Sequence, residues 1–342
     1  MAFGTEPRRH LALGLGLLAL FAFFPGWAHA QSGSPVHRYK VIELPLRPFH
    51  VGNSGKVVGN TDKNRAATWS LHGGLRLLPV LQGFPESEAR GSNQSGDVVG
   101  FFRNSAQSRA FVYRRGKLLM LVGDHSRALA VNDSDQIAGE SAVPGKAPVS
   151  PVLWKQESMA DLGGCCGGVA RGMNNHGQII GDVYDQDGRY RAVLWDGSQG
   201  MRYLGSDNNY SSAIAINDSG HVMVQELGKG LYIYFGPGKI VRVGIANQQP
   251  ADGRALNDTD EVVGGYGPSF DADRAFVWSE KDGFHDLNDL IPAGSRWKLQ
   301  VATGINNLGQ IVGVGDHNGK EYVGFLLVEE KTAPPRRPSS RP

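Results

Sequence analysis

GINNLGQIVG, residues 304–313, decides the fold, because the chain carries this stretch in seven versions. The others are HVGNSGKVVG (50–59), GSNQSGDVVG (91–100), AVNDSDQIAG (130–139), GMNNHGQIIG (172–181), AINDSGHVMV (215–224) and ALNDTDEVVG (255–264). Aligned on the asparagine, they place an anchor at Gly52, Asn93, Asn132, Asn174, Asn217, Asn257 and Asn306, 39 to 49 residues apart. A period near forty residues is that of β-propeller blades.

Within each copy a short strand meets Asn-x-x-Gly and resumes as an apolar run, which is a hairpin. Asn suits the first turn position because its side chain accepts a backbone N–H, and Gly suits the fourth because positive φ costs it little. Asp135 and Asp260 replace that Gly, and Asp is among the residues that tolerate the left-handed region. A third strand follows, as in RAATW, RAFVY, RAVLW and RAFVW, and then a fourth, as in GLRLLPVL and GMRYLG. Four short strands at constant spacing make a four-stranded antiparallel blade. The residues four and two before the anchor are Ala or Gly in copies two to seven, from Ala89 and Gly91 to Ala302 and Gly304, so each first strand shows a small-residue face. Copy one departs, with Pro48 and His50.

The seventh copy lacks a fourth strand, and HRYKVIELPL near the other end of the sequence has the alternation to supply it. The expected fold is therefore an all-β, seven-bladed propeller of four-stranded antiparallel blades. A strand within residues 37–46 completes the last blade, with Tyr39–Leu44 pairing near Gly324–Val328. Closure of this kind removes exposed sheet edges.

Residues 1–30 carry Arg8 and Arg9, an apolar run from Leu11 to Phe24 and Ala28-His29-Ala30, the pattern of a secretory signal peptide cleaved near Ala30. No later run is long enough for a membrane span. Residues 31–330 are read as the propeller and 331–342, KTAPPRRPSSRP, as a disordered basic Pro-rich tail. The formal charge is +2, and without the basic signal and tail the body is slightly acidic, which disfavours nucleic acid as a partner. The mature protein is expected to be a secreted or periplasmic monomer.

GINNLGQIVG, RAFVW (274–278) and MADLG (159–163) together resemble the HAF repeats, a family of probable extracellular repeats. The resemblance covers nearly all of the expected mature chain and implies secretion and a repeat architecture. It supplies no active site. One departure is that Arg rather than His opens the third strand in copies one, two, four and six.

Trp69, Tyr113, Trp154, Trp195, Tyr234 and Trp278 recur at one repeat position and read as core between blades rather than as a sugar platform. Trp297, in the longest connection, is the aromatic candidate for an exposed contact. Asn-x-Ser/Thr at Asn93, Asn132, Asn217 and Asn257 matches a glycosylation acceptor, but turn chemistry explains it first. Gly residues flank Cys165 and Cys166, which suits an exposed vicinal disulfide or two thiols. No local catalytic motif, metal-ligand spacing or cofactor signature occurs.

Variable loops gather on the face opposite the Asn turns, and function concentrates on such loops. Arg90, Arg171 and Arg254 share the position three before the anchor, and Arg127 lies two residues further out. Pointing to the axis, they would favour an anionic ligand such as an acidic glycan. Pointing elsewhere, each would pair with a local acid such as Glu86, Glu88 or Asp252. The leading functional reading is a binding or scaffold module whose partner is an extracytoplasmic ligand or protein. A polysaccharide hydrolase or lyase with a site assembled from distant loops is the alternative.

Overall fold

The computed structural model describes residues 39–330 apart from 147–148, 198, 208, 246–248 and 269–272; the signal segment and basic tail expected from the sequence lie outside the described residues. Seven four-stranded antiparallel sheets follow one another around a ring. Their first strands are Arg47–Val51, Glu86–Ser92, Arg127–Val131, Gly168–Met173, Ser211–Ile216, Ala251–Leu256 and Trp297–Ile305. The anchors that end these strands all line one depression, so the first strands are innermost.

The N-terminal strand closes the ring. Tyr39–Leu44 pairs antiparallel with the strand Lys320–Glu329, from Tyr39 opposite Glu329 to Leu44 opposite Gly324. The backbone N–H of Tyr39 also donates to the carbonyl of Leu290 in the sixth blade, at 2.9 Å. One end of the chain thereby supplies the strand that the other lacks.

Both glycines of the repeated motif have a geometric cause. In the turn, Gly55, Gly96, Gly177, Gly220 and Gly309 take φ between 70° and 84°, while Asp135 and Asp260 accept 63° and 62°. The second glycine answers a bulge. Every first strand shifts register at the same place, as between Ala89 and Gly91 or Ala170 and Gly172, leaving one residue over. The first strand then crosses the second so closely that a Cβ on Gly100 would stand 1.8 Å from the carbonyl oxygen of Glu88, and one on Gly181 1.9 Å from that of Val169.

The core is divided among the blade interfaces. Among the described residues seven apolar clusters are buried, each between two neighbouring blades. Ala89, Ala128, Ala170, Ala213 and Ala302 are fully buried and face the preceding blade. The aromatic at the end of the third strand fills the same interface further out: Trp154 is 1% exposed against Val99 and Val112, and Trp195 and Trp278 are 6% exposed. Burying one such ring contributes on the order of 3 kcal/mol. Small residues near the axis and large ones toward the rim fit wedge-shaped spaces between radiating sheets.

Candidate binding surfaces at the two ends of the channel

At the turn end, the anchor asparagines join the blades to one another. Each side-chain oxygen accepts N–H groups of its own turn; for Asn174 these are the amides of His176 at 3.1 Å and Gln178 at 3.0 Å. Each Nδ2 crosses to the next blade and donates to the anchor carbonyl there. The links run Asn93 to Asn132, Asn132 to Asn174, Asn174 to Asn217, Asn217 to Asn257, Asn257 to Asn306 and Asn306 to Gly52, at 3.0–3.3 Å. The six asparagines are 3–6% exposed. A side chain that satisfies its own turn thus also pairs a carbonyl of its neighbour, both away from water.

A second circle lies one residue further on. The backbone N–H of Gln94 donates to Asp133, that of Asp133 to Asn175, Asn175 to Asp218, Asp218 to Asp258, Asp258 to Asn307 and Asn307 to Asn53, each to a side-chain oxygen at 2.8–3.0 Å. These circles enclose an axial depression of about 170 Å³. The sequence showed the asparagines as turn formers, but their action between blades escaped a reading confined to one repeat. The uniformity of the anchor was the available signal, since a turn alone accepts Asp or Ser as readily.

His50 also lines the depression, and its Nε2 has no hydrogen-bond partner. Burial pushes its imidazole down to about 4, with the Ser92 backbone opposing the shift. The folded state therefore prefers neutral His50. Its contribution to stability is complete above the unfolded value near 6.5 and is lost as pH falls from there toward 4. We expect a loss of about 2–3 kcal/mol over that interval, measured by urea unfolding at successive pH values. A His50→Gln chain should lack this part of the slope.

The arginines stand within the innermost strands, three residues before the anchors. Arg90, Arg171 and Arg254 are the residues left over at the bulge in blades two, four and six. The same position holds Phe49, Leu129, Ile214 and Thr303 in the other blades. The guanidinium of Arg90 lies 4.2 Å from the ring centre of Phe49 and 5.8 Å from that of Phe101; Arg127 lies 5.7 Å from Phe101. Arg90 and Arg127 thus meet over one aromatic ring, whereas Arg171 and Arg254 stand in separate blades.

All four are ion-paired. Arg90 pairs with Glu88 at 2.5 Å, Arg171 with Asp182 at 2.6 Å, Arg127 with Glu140 and Arg254 with Asp252. Glu86 pairs instead with Arg103. The carboxylates of Glu88, Glu140 and Asp182 are buried, while the arginine side chains keep 35–50% exposure. Burial raises the Asp182 carboxyl above its ordinary value despite Arg171, Ser212 and the Ala213 amide, and burial likewise raises Asp252 against Arg254. Each of these two acids has its own partners.

Trp297 begins the innermost strand of blade seven and is half-buried. Its ring stacks on His317 at 4.3 Å and meets Phe325 edge-on. Cys165 and Cys166 form a vicinal disulfide at the tip of the loop leading into blade four, where the Cys165 Sγ approaches the Tyr184 carbonyl at 3.3 Å. Among the described residues no helix is long and apolar enough to cross a membrane.

No family model and no curated protein matches the chain. Solved structures do. The chain is similar to YCF48 bound to D1 peptide, with 12% identity, a TM-score of 0.57 and coverage of 89% of this chain and 99% of that one. It is similar to the WD40 β-propeller domain of Doa1, with 13% identity, a TM-score of 0.54 and coverage of 87% and 99%. It is also similar to the β-propeller domain of the trilobed protease from Pyrococcus furiosus, with 12% identity, a TM-score of 0.53 and coverage of 86% and 95%. Identities this low speak for the fold alone.

Proposed function

We propose that the chain is a secreted or periplasmic binding or scaffold module of the HAF-repeat kind. Residues 1–30 act as its export signal, and the loop face of the propeller receives an anionic ligand. The observation that carries this reading is the recurrence of a half-exposed arginine at the bulge of the innermost strand in alternate blades. A guanidinium has five N–H donors, and a local carboxylate occupies one or two of them. The remainder can engage a carboxylate, sulfate or phosphate at the channel mouth. An acidic glycan is the ligand class that suits repeated, separated arginines. YCF48, a propeller of the same fold, is seen with a peptide, which supports binding as a use of this architecture.

The test replaces Arg90, Arg171 and Arg254 together with Gln and measures binding of an oligo-uronate by calorimetry. Loss of three charge-assisted contacts should weaken binding at least about tenfold. Unchanged affinity would show that these arginines do not hold the ligand.

A further inference from the structure

Three departures from the repeat meet at one place. The residue two before the anchor is Ala or Gly in blades two to seven but His50 in blade one. The anchor is Asn in those blades but Gly52 in blade one. The residue just before the anchor is Val, Met, Ile or Leu in six blades but Ser92 in blade two. A Cβ on Gly52 would lie 3.2 Å from the Ser92 Oγ and 3.8 Å from the His50 Nε2, so both side chains turn toward the space that the anchor carboxamide takes elsewhere.

Among the described residues neither the Ser92 Oγ nor the His50 Nε2 has a hydrogen-bond partner, and Ser92 is only 9% exposed. Gly52 has no side-chain carboxamide to donate across to the next blade. Among the described residues the Asn93 carbonyl is therefore the one anchor carbonyl without a donor from the preceding blade. The Asn93 carbonyl still accepts the Gly96 N–H of its own turn at 3.1 Å, so two polar atoms, the Ser92 Oγ and the His50 Nε2, are left orphaned at one spot against the pattern of the repeat, and orphaned buried polar groups are costly.

All of these residues line the axial depression, whose rim carries Asp133, Asp218 and Asp258 among Asn53, Gln94, Asn175 and Asn307. Among the described residues no Lys or Arg lines it. Lys56 engages the Gly96 carbonyl at 2.9 Å and is not part of the lining. The carboxylates are already fixed in place. Asp218 accepts both the backbone N–H and the Nδ2 of Asn175, each at 2.9 Å, and Asp258 accepts the Asp218 N–H and the Nδ2 of Asn307.

We propose that this depression binds a guanidinium group presented by the arginine side chain of a partner peptide. The rim supplies negative charge spread around a circle, and the floor supplies the unpartnered Ser92 Oγ, an acceptor, beside the His50 Nε2, which accepts when the ring proton sits on Nδ1. A planar cation with five N–H groups matches both, where a point-like ammonium would satisfy only one side. The carboxylates of this rim are distinct from the ion-paired arginines further back along the innermost strands. This site stands apart from the loop-face reading and survives its failure.

The test uses the full chain and a fluorescein-labelled Gly-Gly-Arg-Gly-Gly peptide, followed by anisotropy at low ionic strength. A counterpart with citrulline, equal in shape but uncharged, should bind at least about tenfold more weakly. The triple change Asp133→Asn, Asp218→Asn and Asp258→Asn should weaken the arginine peptide by a similar factor. It should lower the melting temperature only slightly, because each Asn keeps an oxygen for the backbone N–H it receives, as Asn53, Asn175 and Asn307 do, and loses only the bonds from the Asn175 and Asn307 Nδ2 at the solvent-facing rim. Ser92→Val, which restores the residue type of the other blades, should lower affinity severalfold with the rim charge intact. Absence of binding, equal binding of the citrulline peptide, tighter binding of a lysine counterpart, or unchanged affinity in the triple Asp variant would overturn the proposal.

Discussion

Removing residues 31–45 should lower the melting temperature of the propeller by at least about 10 °C. The deletion takes away the strand Tyr39–Leu44 and with it six residue pairs along Lys320–Glu329. Tyr39 and Leu44 are 5% and 3% exposed, and Val41 and Ile42 pack against the same two clusters. Burial of a large apolar side chain is worth about 1.5–3 kcal/mol, so these four together contribute more than about 5 kcal/mol. In a domain of this size each kcal/mol moves the melting temperature by roughly 2 °C. The deletion also bares a ten-residue strand edge, which should make the shortened chain prone to associate. Thermal unfolding followed by circular dichroism, with light scattering alongside, measures both effects. A curve superimposable on that of the intact chain would mean that the ring does not depend on this strand.

The second large effect concerns the anchor asparagines. Asn174→Ala removes two acceptor contacts, to His176 and Gln178, and two donor contacts, to the Asn217 carbonyl and the Gln178 side chain. Asn174 is 3% exposed, so water cannot take over these bonds without opening the turn. Leaving buried groups unpaired costs about 1–3 kcal/mol apiece, and we expect a total near 3–4 kcal/mol. Asn53→Ala, at an exposed position of the outer circle, should cost under about 1 kcal/mol. Urea unfolding of the two variants against the parent checks the contrast.

The architecture was open to reading from the sequence because a propeller writes its fold as a period. The spacing of the anchors, the alternating runs and the strand missing from one end each followed from local rules, and blade number and closure are as those features require. The small residues before the anchor pointed correctly to close packing, and the recurrent Trp positions to core. What stayed hidden lies between repeats. The asparagine bonds span 39 to 49 residues, or 254 where the ring closes, and no pattern within one copy reveals them. The loop-face arginines could be aligned from sequence, but whether a guanidinium meets a ligand or a neighbouring carboxylate depends on where the bulge aims it. Arg90 reaches Glu88 two residues back, whereas Arg171 reaches Asp182 on the next strand. His50 and Ser92 were visible as irregularities, but their convergence on Gly52 needed the ring.

The repeated asparagine clasps one blade to the next, and Asn174→Asp separates that role from its service to its own turn. Aspartate keeps an oxygen for the His176 and Gln178 amides, so the turn itself is preserved. It replaces the Nδ2 that lies 3.0 Å from the Asn217 carbonyl with a second acceptor. If the residue serves only its own turn, the variant should be as stable as the parent, since Asp and Asn are equally at home there. If it serves as a clasp, a carboxylate oxygen will face a buried carbonyl. The free energy of unfolding at pH 7 should then drop by about 2–4 kcal/mol, with partial recovery as acid protonates the new group. Chemical denaturation at pH 7 decides between them: a clasp gives that drop, and a stability equal to the parent's rules the clasp out.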